Sequence, residues 1–374
     1  MALKLNSILM VHPFGIGDVL FMTPLIHALK TQGVNHIDLV LGSRTQTIFE
    51  NHPGIREIHV IDRDRLASQS WLKNFKEITS LLGRLRRHRY DAFIDLSLGR
   101  QYSFLTWLCL NIPVRIGFDY KNRGIFLNRK LKLQGGFREK SVVEYYSDLL
   151  KLIDINLAEK ELEFYVQPQD EKEAELFLKQ MQLDVSSRLL AVAPGGGESW
   201  GKDARLKQWP LSHFHALIKQ LQTKKYLNGI DRVLILGSKN DKALGEALRA
   251  CDPSFYVNGC AQTSLRVTAA ILKKVTCLIA NDGGLVHLAC AVKTPVMAIF
   301  GPVDPRVYGP YPILPTRIAL VNENGPECRP CYQNMRYNSA CMHIECLNGL
   351  SAIQVIQQAE EKGFFQAFRQ KVHS

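Results

Sequence analysis

A short segment with two glycines and an aspartate follows the first apolar run of the chain. Its sequence is His12-Pro13-Phe14-Gly15-Ile16-Gly17-Asp18. Glycine lets a backbone turn sharply and approach a ligand closely. Asp18 stands where the next helix should begin, so it either contacts a ligand or simply caps that helix. The glycine fingerprint of dinucleotide-binding proteins needs a further glycine at position 20, which is leucine here, so the segment argues against a standard NAD site.

The most informative segment lies in the second half of the chain. It is Asn281-Asp282-Gly283-Gly284-Leu285-Val286-His287, between apolar runs at 276–280 and 296–300. A strand, an Asp-Gly-Gly turn and a short helix aim backbone N–H groups and the helix dipole at one point, which suits a diphosphate. His287 lies one turn beyond Gly283 and would face that point. The alternative is a histidine packed in an apolar helix.

Two further segments follow predicted strands. At 193–201, three consecutive glycines lead to Lys207, which either delivers a positive charge to a phosphate or lies in solvent. At 236–241, a small-residue turn is followed by Asp241, which either accepts hydrogen bonds from a ribose or favours a helix N-terminus. Ligands bind at the carboxyl ends of parallel strands. The residues predicted to bind the nucleotide are Lys207, Gly237, Ser238, Asp241, Asp282, Gly283, Gly284 and His287.

The elements that must position these segments alternate along the chain. Strands are predicted at 7–11, 36–41, 57–61, 92–96, 189–193, 232–236, 276–280, 296–300 and 317–321. Helices are predicted at 170–183, 211–221, 241–250, 265–272 and 351–371. Strands that alternate with helices build parallel, doubly wound sheets. We therefore predict an α/β protein with Rossmann-like domains at 1–184 and 185–350, a linker at 184–187 and a terminal helix within 351–374.

The chain of 374 residues is basic, because 47 Lys and Arg outnumber 35 Asp and Glu and give a net charge of +12. Basic residues concentrate at 84–89 and 121–140. Such clusters suit phosphorylated substrates, an anionic membrane or nucleic acid, or are solvated faces. No nucleic-acid-binding motif occurs, so nucleic acid is the least favoured partner. The absence of a signal peptide and of a long apolar run predicts a cytoplasmic protein.

Four of the nine cysteines are clustered, at Cys328, Cys331, Cys341 and Cys346. The first pair has the C-x2-C spacing of metal-binding knuckles, and thiolate sets of this kind bind zinc or iron. The second pair lacks that spacing. Two interpretations stay open, a structural metal site and free thiols in a reducing compartment. Both place the cluster away from the catalytic chemistry.

Together these segments resemble glycosyltransferase family nine, the lipopolysaccharide heptosyltransferases. The resemblance rests on residues 12–18, on Lys207-Gln208-Trp209-Pro210, on residues 281–287 and on residues 300–305, whose order and spacing agree over essentially the whole chain. It implies a GT-B fold with an acceptor-binding first domain, a donor-binding second domain and a cleft between them. It also implies that the terminal helix packs back on the first domain. Many members have serine or threonine where this chain has Gly283, which removes a hydroxyl contact to the donor.

The resemblance further implies an inverting transfer of a heptose from ADP-heptose to a lipopolysaccharide core. Asp18 would be the general base, a role that contributes about 10²–10⁴-fold to a rate. Lys207 and the N–H groups of Gly283 and Gly284 would stabilise the departing diphosphate, a task that metal ions perform in other transferases. No cofactor is expected beyond the nucleotide sugar. The acceptor would be a phosphorylated glycolipid at the inner face of an anionic membrane, opposite the basic clusters.

Two alternatives stay open alongside this function. One is a transferase that uses another nucleotide sugar and an acceptor other than lipopolysaccharide. The other is a nucleotide-sugar-binding protein without catalytic activity, which would be favoured if Asp18 pointed into the core.

Overall fold

The computed structural model describes residues 5–157, 161–183, 188–226, 229–332, 336–338 and 340–372. The chain forms two compact units, which divide between Glu161 and Leu162. The predicted linker at 184–187 lies outside the described residues. In the described part of the chain, no helix has both the length and the apolar character that crossing a membrane requires.

The first unit contains six strands and six α-helices among its described residues. In chain order these are β1 Ser7–His12, α1 Ile16–Leu20, α2 Thr23–Thr31, β2 His36–Gly42, β3 Glu57–Ile61, α3 Arg63–Ser68, α4 Trp71–Leu85, β4 Ala92–Asp95, α5 Gln101–Leu105, β5 Val114–Tyr120, β6 Arg129–Leu133 and α6 Val142–Lys151. A 3₁₀ turn lies at Gln46–Ile48, and a π-helical turn at Thr106–Leu110 continues α5.

The second unit repeats the alternation. Its elements are α7 Pro168–Gln180, β7 Leu189–Ala193, α8 Leu211–Thr223, β8 Arg232–Ile235, α9 Lys242–Arg249, β9 Tyr256–Asn258, α10 Leu265–Lys274, β10 Cys277–Asn281, α11 Gly284–Ala291, β11 Val296–Phe300, α12 Pro305–Tyr308, β12 Arg317–Val321, α13 Glu345–Asn348, α14 Ala352–Glu361 and α15 Phe364–Val372. Segments of 3₁₀ helix lie at Glu198–Lys207 and Lys239–Asp241.

Each unit has one parallel sheet with the same strand order. The order in the first sheet is β3-β2-β1-β4-β5-β6. The order in the second sheet, read from the equivalent edge, is β9-β8-β7-β10-β11-β12. In such a sheet the chain reverses its direction of winding between two central strands, and their carboxyl ends border the crevice that binds ligands. These strands are β1 and β4 in the first sheet and β7 and β10 in the second. The predicted doubly wound α/β architecture is therefore confirmed.

The strands that carry the predicted site segments lie within a residue or two of their predicted bounds. Strands β5, β6 and β9 escaped prediction, for physical reasons that differ. Strand β6 is an edge strand whose sequence, Arg-Lys-Leu-Lys-Leu, is mostly exposed, and charged residues are a common protection of sheet edges. Strand β9 is only three residues long, and β5 is interrupted by Gly117.

Helix α7 belongs to the second unit, although it precedes the predicted domain boundary at 184. It packs against α10, and a partly buried ion pair joins the two helices, with Arg266 Nη2 2.6 Å from Asp170 Oδ2. Two exposed pairs, Lys273 with Glu171 and Lys274 with Glu175, extend the contact. These contacts explain why the chain divides before α7 rather than after it.

The terminal segment forms the two helices α14 and α15 rather than one long helix. The turn between them contains Gly363, whose φ of +70° lies in the left-handed region, where a helix ends readily at glycine. Val355, Phe364 and Phe368 are buried in the same hydrophobic core as the second sheet. These side chains therefore belong to the core of the second unit, and packing of the terminal segment on the first domain stays an implication of the family resemblance.

Candidate functional site

The candidate site of the second unit lies where β7 and β10 end side by side. The two strands pair in parallel register, with Ala193 opposite Ala280. The glycine segment therefore leaves β7 next to the Asp-Gly-Gly turn that leaves β10. The predicted nucleotide segments come together because the topology brings these two strand ends together.

Asn281 ties the two segments and the lysine-bearing segment into one unit. Its side-chain N–H donates to the Pro194 carbonyl at 2.7 Å, and its Oδ1 accepts from the Trp209 backbone N–H at 3.2 Å. The buried Trp209 indole in turn donates to the Leu350 carbonyl at 2.8 Å. A buried amide that bonds two different segments holds both in place. Because Lys207 precedes Trp209 by two residues, the hydrogen bond between Trp209 and Asn281 also helps to position Lys207.

Lys207 and Asp282 form a buried ion pair. Lys207 Nζ lies 2.7 Å from Asp282 Oδ2, and the two side chains are only 6% and 7% exposed. Charges at this depth persist when each has a partner. A lysine held beside the start of α11 offers a fixed positive charge close to backbone N–H donors, which is an arrangement suited to a diphosphate.

His287 is buried on α11 and faces the same ion pair. Burial, and after it the charge of Lys207, lowers the pKa of His287 to about 3. The imidazole is therefore neutral at physiological pH. It can donate or accept a hydrogen bond to a ligand without adding charge.

The turn at Gly283 is open enough to take a side chain. Its φ of 177° is extended backbone, and a Cβ built there would have the Asn281 carbonyl oxygen, at 3.8 Å, as its nearest described neighbour. Packing thus does not force glycine at this position. A serine or threonine, the residues implied at this position by the family resemblance, would fit.

Gly237, Ser238 and Asp241 form a closed turn of their own. The Asp241 carboxylate accepts from both the backbone N–H and the hydroxyl of Ser238, each at 2.8 Å. Asp241 also lies against Gly195, where an added Cβ would fall 2.2 Å from Asp241 Oδ1. The turn thus supports the glycine segment after β7. Asp241 is the residue predicted to accept hydrogen bonds from a ribose, and one of its carboxylate oxygens already caps this turn.

These two glycines lead to a paired prediction. We expect Gly195→Ala to destabilise the protein by about 1–3 kcal/mol, because the new methyl group would collide with the buried Asp241 carboxylate. Gly283→Ser should leave the free energy of unfolding within about 0.5 kcal/mol of the parent. Chemical denaturation of the two variants beside the parent measures both effects. Equal stability of the two variants would contradict the predicted collision between a side chain at position 195 and Asp241.

The candidate site of the first unit surrounds the end of β1. Asp18 lies in the first turn of α1 and is partly exposed, so it does not point into the core. His12 is buried, and its Nε2 lies 2.7 Å from the hydroxyl of Tyr146. Burial lowers the pKa of His12 to about 3. Burial and then the charge of Asp18 raise the pKa of Tyr146, which shows that Asp18 lies near this pair.

Asp95 is a functional candidate that the sequence analysis did not single out. It ends β4 opposite Val11 of β1, so it lies at the same sheet edge as His12. Burial raises its pKa to about 6, against the opposing effect of hydrogen bonds from Ser97 to the carboxylate. The available signal was the single acidic residue within the otherwise apolar strand predicted at 92–96.

The raised pKa of Asp95 makes stability depend on pH. A carboxyl whose pKa is raised on folding is fully stabilising below its ordinary pKa, near 4, and this stability is lost as pH rises through the folded pKa of about 6. The loss amounts to about 3 kcal/mol. Asp95→Asn should therefore gain about that much stability relative to the parent between pH 4 and pH 8. Unfolding curves at both pH values test this, and a constant difference between the two proteins would contradict it.

The first unit contains a second cluster of polar side chains, which is explained by structural hydrogen bonds and an ion pair. Asp38, Glu57 and His59 place potential metal-ligand atoms within 4.8 Å of one another. Asp38, however, already binds Arg56 through contacts of 2.9 and 2.6 Å and accepts from the Tyr90 hydroxyl at 2.7 Å. The arginine supplies the positive charge that a metal would otherwise bring.

The four clustered cysteines are free thiols in this structure. Within the described residues, their sulfur atoms do not form a group of three or more within 4.8 Å of one another. Burial, followed by the neighbouring thiols, raises the pKa of Cys331, and the same causes raise that of Cys346 to about 11. Both thiols are thus protonated at neutral pH, and the two interpretations of the cluster stay open.

Two Rossmann-like units, each with a six-stranded parallel sheet, are the architecture of the GT-B fold. A family model for glycosyltransferase family 9 (heptosyltransferase) matches residues 78–337. The chain therefore belongs to glycosyltransferase family 9, and the protein is a glycosyltransferase. The fold and the family implied by the sequence resemblance are both confirmed.

Individual relatives agree with this assignment. The lipooligosaccharide heptosyltransferase 2 of Haemophilus influenzae is 26% identical over 326 residues, which cover 84% of this chain and 89% of that protein. The structure of a family 9 glycosyl transferase from Veillonella parvula has a TM-score of 0.77 at 20% identity, over 96% of this chain and 98% of that one. The E. coli heptosyltransferase WaaC with ADP-2-deoxy-2-fluoro heptose has a TM-score of 0.62 at 19% identity, over 95% and 99%.

Proposed function

We propose that this glycosyltransferase moves a heptose from ADP-heptose to a lipopolysaccharide core acceptor with inversion at the anomeric carbon. The observation that carries the proposal is the pairing of Lys207 with Asp282 beside the start of α11 and the neutral His287. The heptosyltransferase relatives and the ADP-heptose analogue of the E. coli structure supply the donor class.

In this mechanism Asp18 is the general base. It accepts the proton of an acceptor hydroxyl, the hydroxyl oxygen attacks the anomeric carbon, and the bond from that carbon to the diphosphate oxygen breaks. One displacement on the face opposite the leaving group inverts the configuration. The electron pair of the broken bond stays on ADP, so negative charge grows on the departing diphosphate.

The second unit would stabilise that charge. Lys207 supplies a cation, and the N–H groups at Gly283 and Gly284 supply donors at the start of α11, where no side chain of the described residues caps the helix. Preorganised donors in a buried setting are effective because they need no rearrangement during the reaction. These groups make a metal-independent reaction chemically reasonable.

Residues 62–64 form an Asp-x-Asp triplet, a motif that binds a metal ion in another transferase fold. Its carboxylates have structural partners, however. Asp62 accepts from the Arg65 backbone N–H as the cap of α3, and Asp64 lies 2.6 Å from Arg44. This supports assigning charge stabilisation to Lys207 rather than to a metal held at the triplet.

We place the acceptor on the first unit and describe it as a phosphorylated glycolipid at the cytoplasmic face of an anionic membrane. The basic residues at 84–89 and 121–140 supply charge of the required sign. Glycolipids of this kind present phosphate groups that attract lysine and arginine.

A donor panel tests the proposal. The pure protein is incubated with ADP- and UDP-activated sugars, with and without a deacylated lipopolysaccharide acceptor, and nucleotide release is followed. Acceptor-dependent release of ADP from ADP-heptose is the expected result. Release from a UDP-sugar alone would replace the donor, and binding without release from any sugar would favour a non-catalytic protein.

A further inference from the structure

Helix α4 of the first unit exposes large apolar side chains at its start. Trp71, Leu72 and Phe75 are 74%, 61% and 63% exposed. At about 100° per residue, these three side chains share one side of the helix. Its second half packs normally, because Leu81 and Leu85 contact the core that contains Phe93. Only the first half of α4 therefore presents an uncovered apolar surface.

Local packing does not account for this exposure. The nearby exposed Trp107 stacks on Phe126 at a centroid distance of 5.4 Å, so it has an aromatic neighbour that explains its position. Trp71 and Phe75 make no ring contact within the described part of the chain. Asn74 holds the helix in place on its other side, by donating to the Leu66 carbonyl at 2.8 Å.

The sequence of α4 and of the residues that follow it is mostly positive. Between residues 70 and 90 there are six Lys and Arg and one acidic residue, Glu77. Glu77 is neutralised by Arg65, whose Nη2 lies 2.6 Å from its carboxylate. Lys73 and Lys76 are exposed and continue the helix surface beside Leu72. A basic amphipathic helix with exposed tryptophan, leucine and phenylalanine has the composition of helices that lie in the interface of an anionic bilayer.

We infer that the first half of α4 docks this protein on an anionic phospholipid bilayer, with Trp71, Leu72 and Phe75 inserted at the headgroup level and Lys73 and Lys76 facing the lipid phosphates. Tryptophan is enriched at that level. The inference rests on the proposed function only in that a membrane-borne acceptor gives the docking a purpose. It names the part of the first unit that faces the membrane.

Vesicle co-sedimentation tests the inference. The parent protein should bind vesicles of equal parts phosphatidylglycerol and phosphatidylcholine, and bind phosphatidylcholine alone far less. The triple variant W71S/L72S/F75S should lower partitioning to the anionic vesicles by about tenfold or more. K73E/K76E should lower it comparably at low salt and less at high salt. Thermal unfolding of each variant should match that of the parent, because the substituted positions are exposed.

A matched control removes three exposed apolar side chains of the second unit. Leu176, Ile313 and Ile353 are 60%, 80% and 66% exposed, and L176S/I313S/I353S should partition like the parent. Equal loss in both triple variants, or undiminished binding of W71S/L72S/F75S, would overturn the inference. So would a parent protein that binds no anionic vesicle.

Activity on a water-soluble acceptor separates this inference from the proposed function. W71S/L72S/F75S should transfer sugar to deacylated acceptor at the parent rate, since its substitutions lie outside the proposed catalytic groups. A parent protein that binds vesicles through α4 but transfers no sugar would defeat the proposed function alone. A parent that transfers sugar but ignores vesicles would defeat the docking alone.

Discussion

Asp18→Asn is expected to lower kcat by about 10²–10⁴-fold while leaving the affinity for the nucleotide sugar unchanged. The amide has nearly the same shape as the carboxylate, so it should preserve the partly exposed first turn of α1. It cannot accept the proton of the acceptor hydroxyl. The donor is assigned to the other unit, which explains why its binding should be retained.

Steady-state transfer rates and calorimetric titration with a nonhydrolysable donor measure the two halves of this prediction. Asp64→Asn is a suitable control, because Asp64 is an exposed acidic residue of the same unit that pairs with Arg44. Its kcat should match that of the parent. A kcat within about threefold of the parent for Asp18→Asn would remove Asp18 from the role of base, since a positioned base contributes far more.

Lys207→Ala is expected to weaken binding of ADP by about ten- to a hundredfold, because a charge-assisted contact to the diphosphate is lost. It should also destabilise the unliganded protein by about 3–5 kcal/mol, because Asp282 would be left as a buried charge without its cation. The pair is buried, with 6% and 7% of the side chains exposed, so solvent offers little compensation.

The double variant K207A/D282N separates these two effects. Removing both charges should restore most of the stability, whereas the affinity for ADP should stay low. Lys179→Ala, at an exposed position of α7 in the same unit, serves as the control with parental affinity and stability. An unchanged dissociation constant for ADP in Lys207→Ala would contradict the assigned role.

The strand positions and the site segments could be predicted because their signals are local. Apolar runs such as β1 and β11 are buried along their whole length, and the glycine-rich turns follow directly after buried strands. The parallel topology then requires the ends of β7 and β10 to meet. The pairing of Lys207 with Asp282 brings together residues 75 positions apart in the sequence, and no local pattern encodes such a contact.

The features that escaped prediction depend on tertiary context. The raised pKa of Asp95 requires complete burial, and burial of one carboxylate at a strand end is not encoded by residue type. Asn281 links Pro194 to Trp209 by geometry alone. The lysines and arginine of β6 indicate only a basic cluster in the sequence, whereas its pairing with β5 in the sheet shows that it is a strand.

The exposed start of α4 adds a second observation to the basic composition of the chain. The net charge of +12 is compatible with several partners. The exposure of Trp71 and Phe75 on a helix that also carries Lys73 favours one of these partners, an anionic membrane.

The most direct test of the central claim is the mass and anomeric configuration of the product formed from ADP-heptose and a deacylated lipopolysaccharide core. Incubation with the pure protein should yield an acceptor that is heavier by one heptose, joined with inverted configuration, together with one equivalent of ADP. An acceptor of unchanged mass, or a product with retained configuration, would contradict the account.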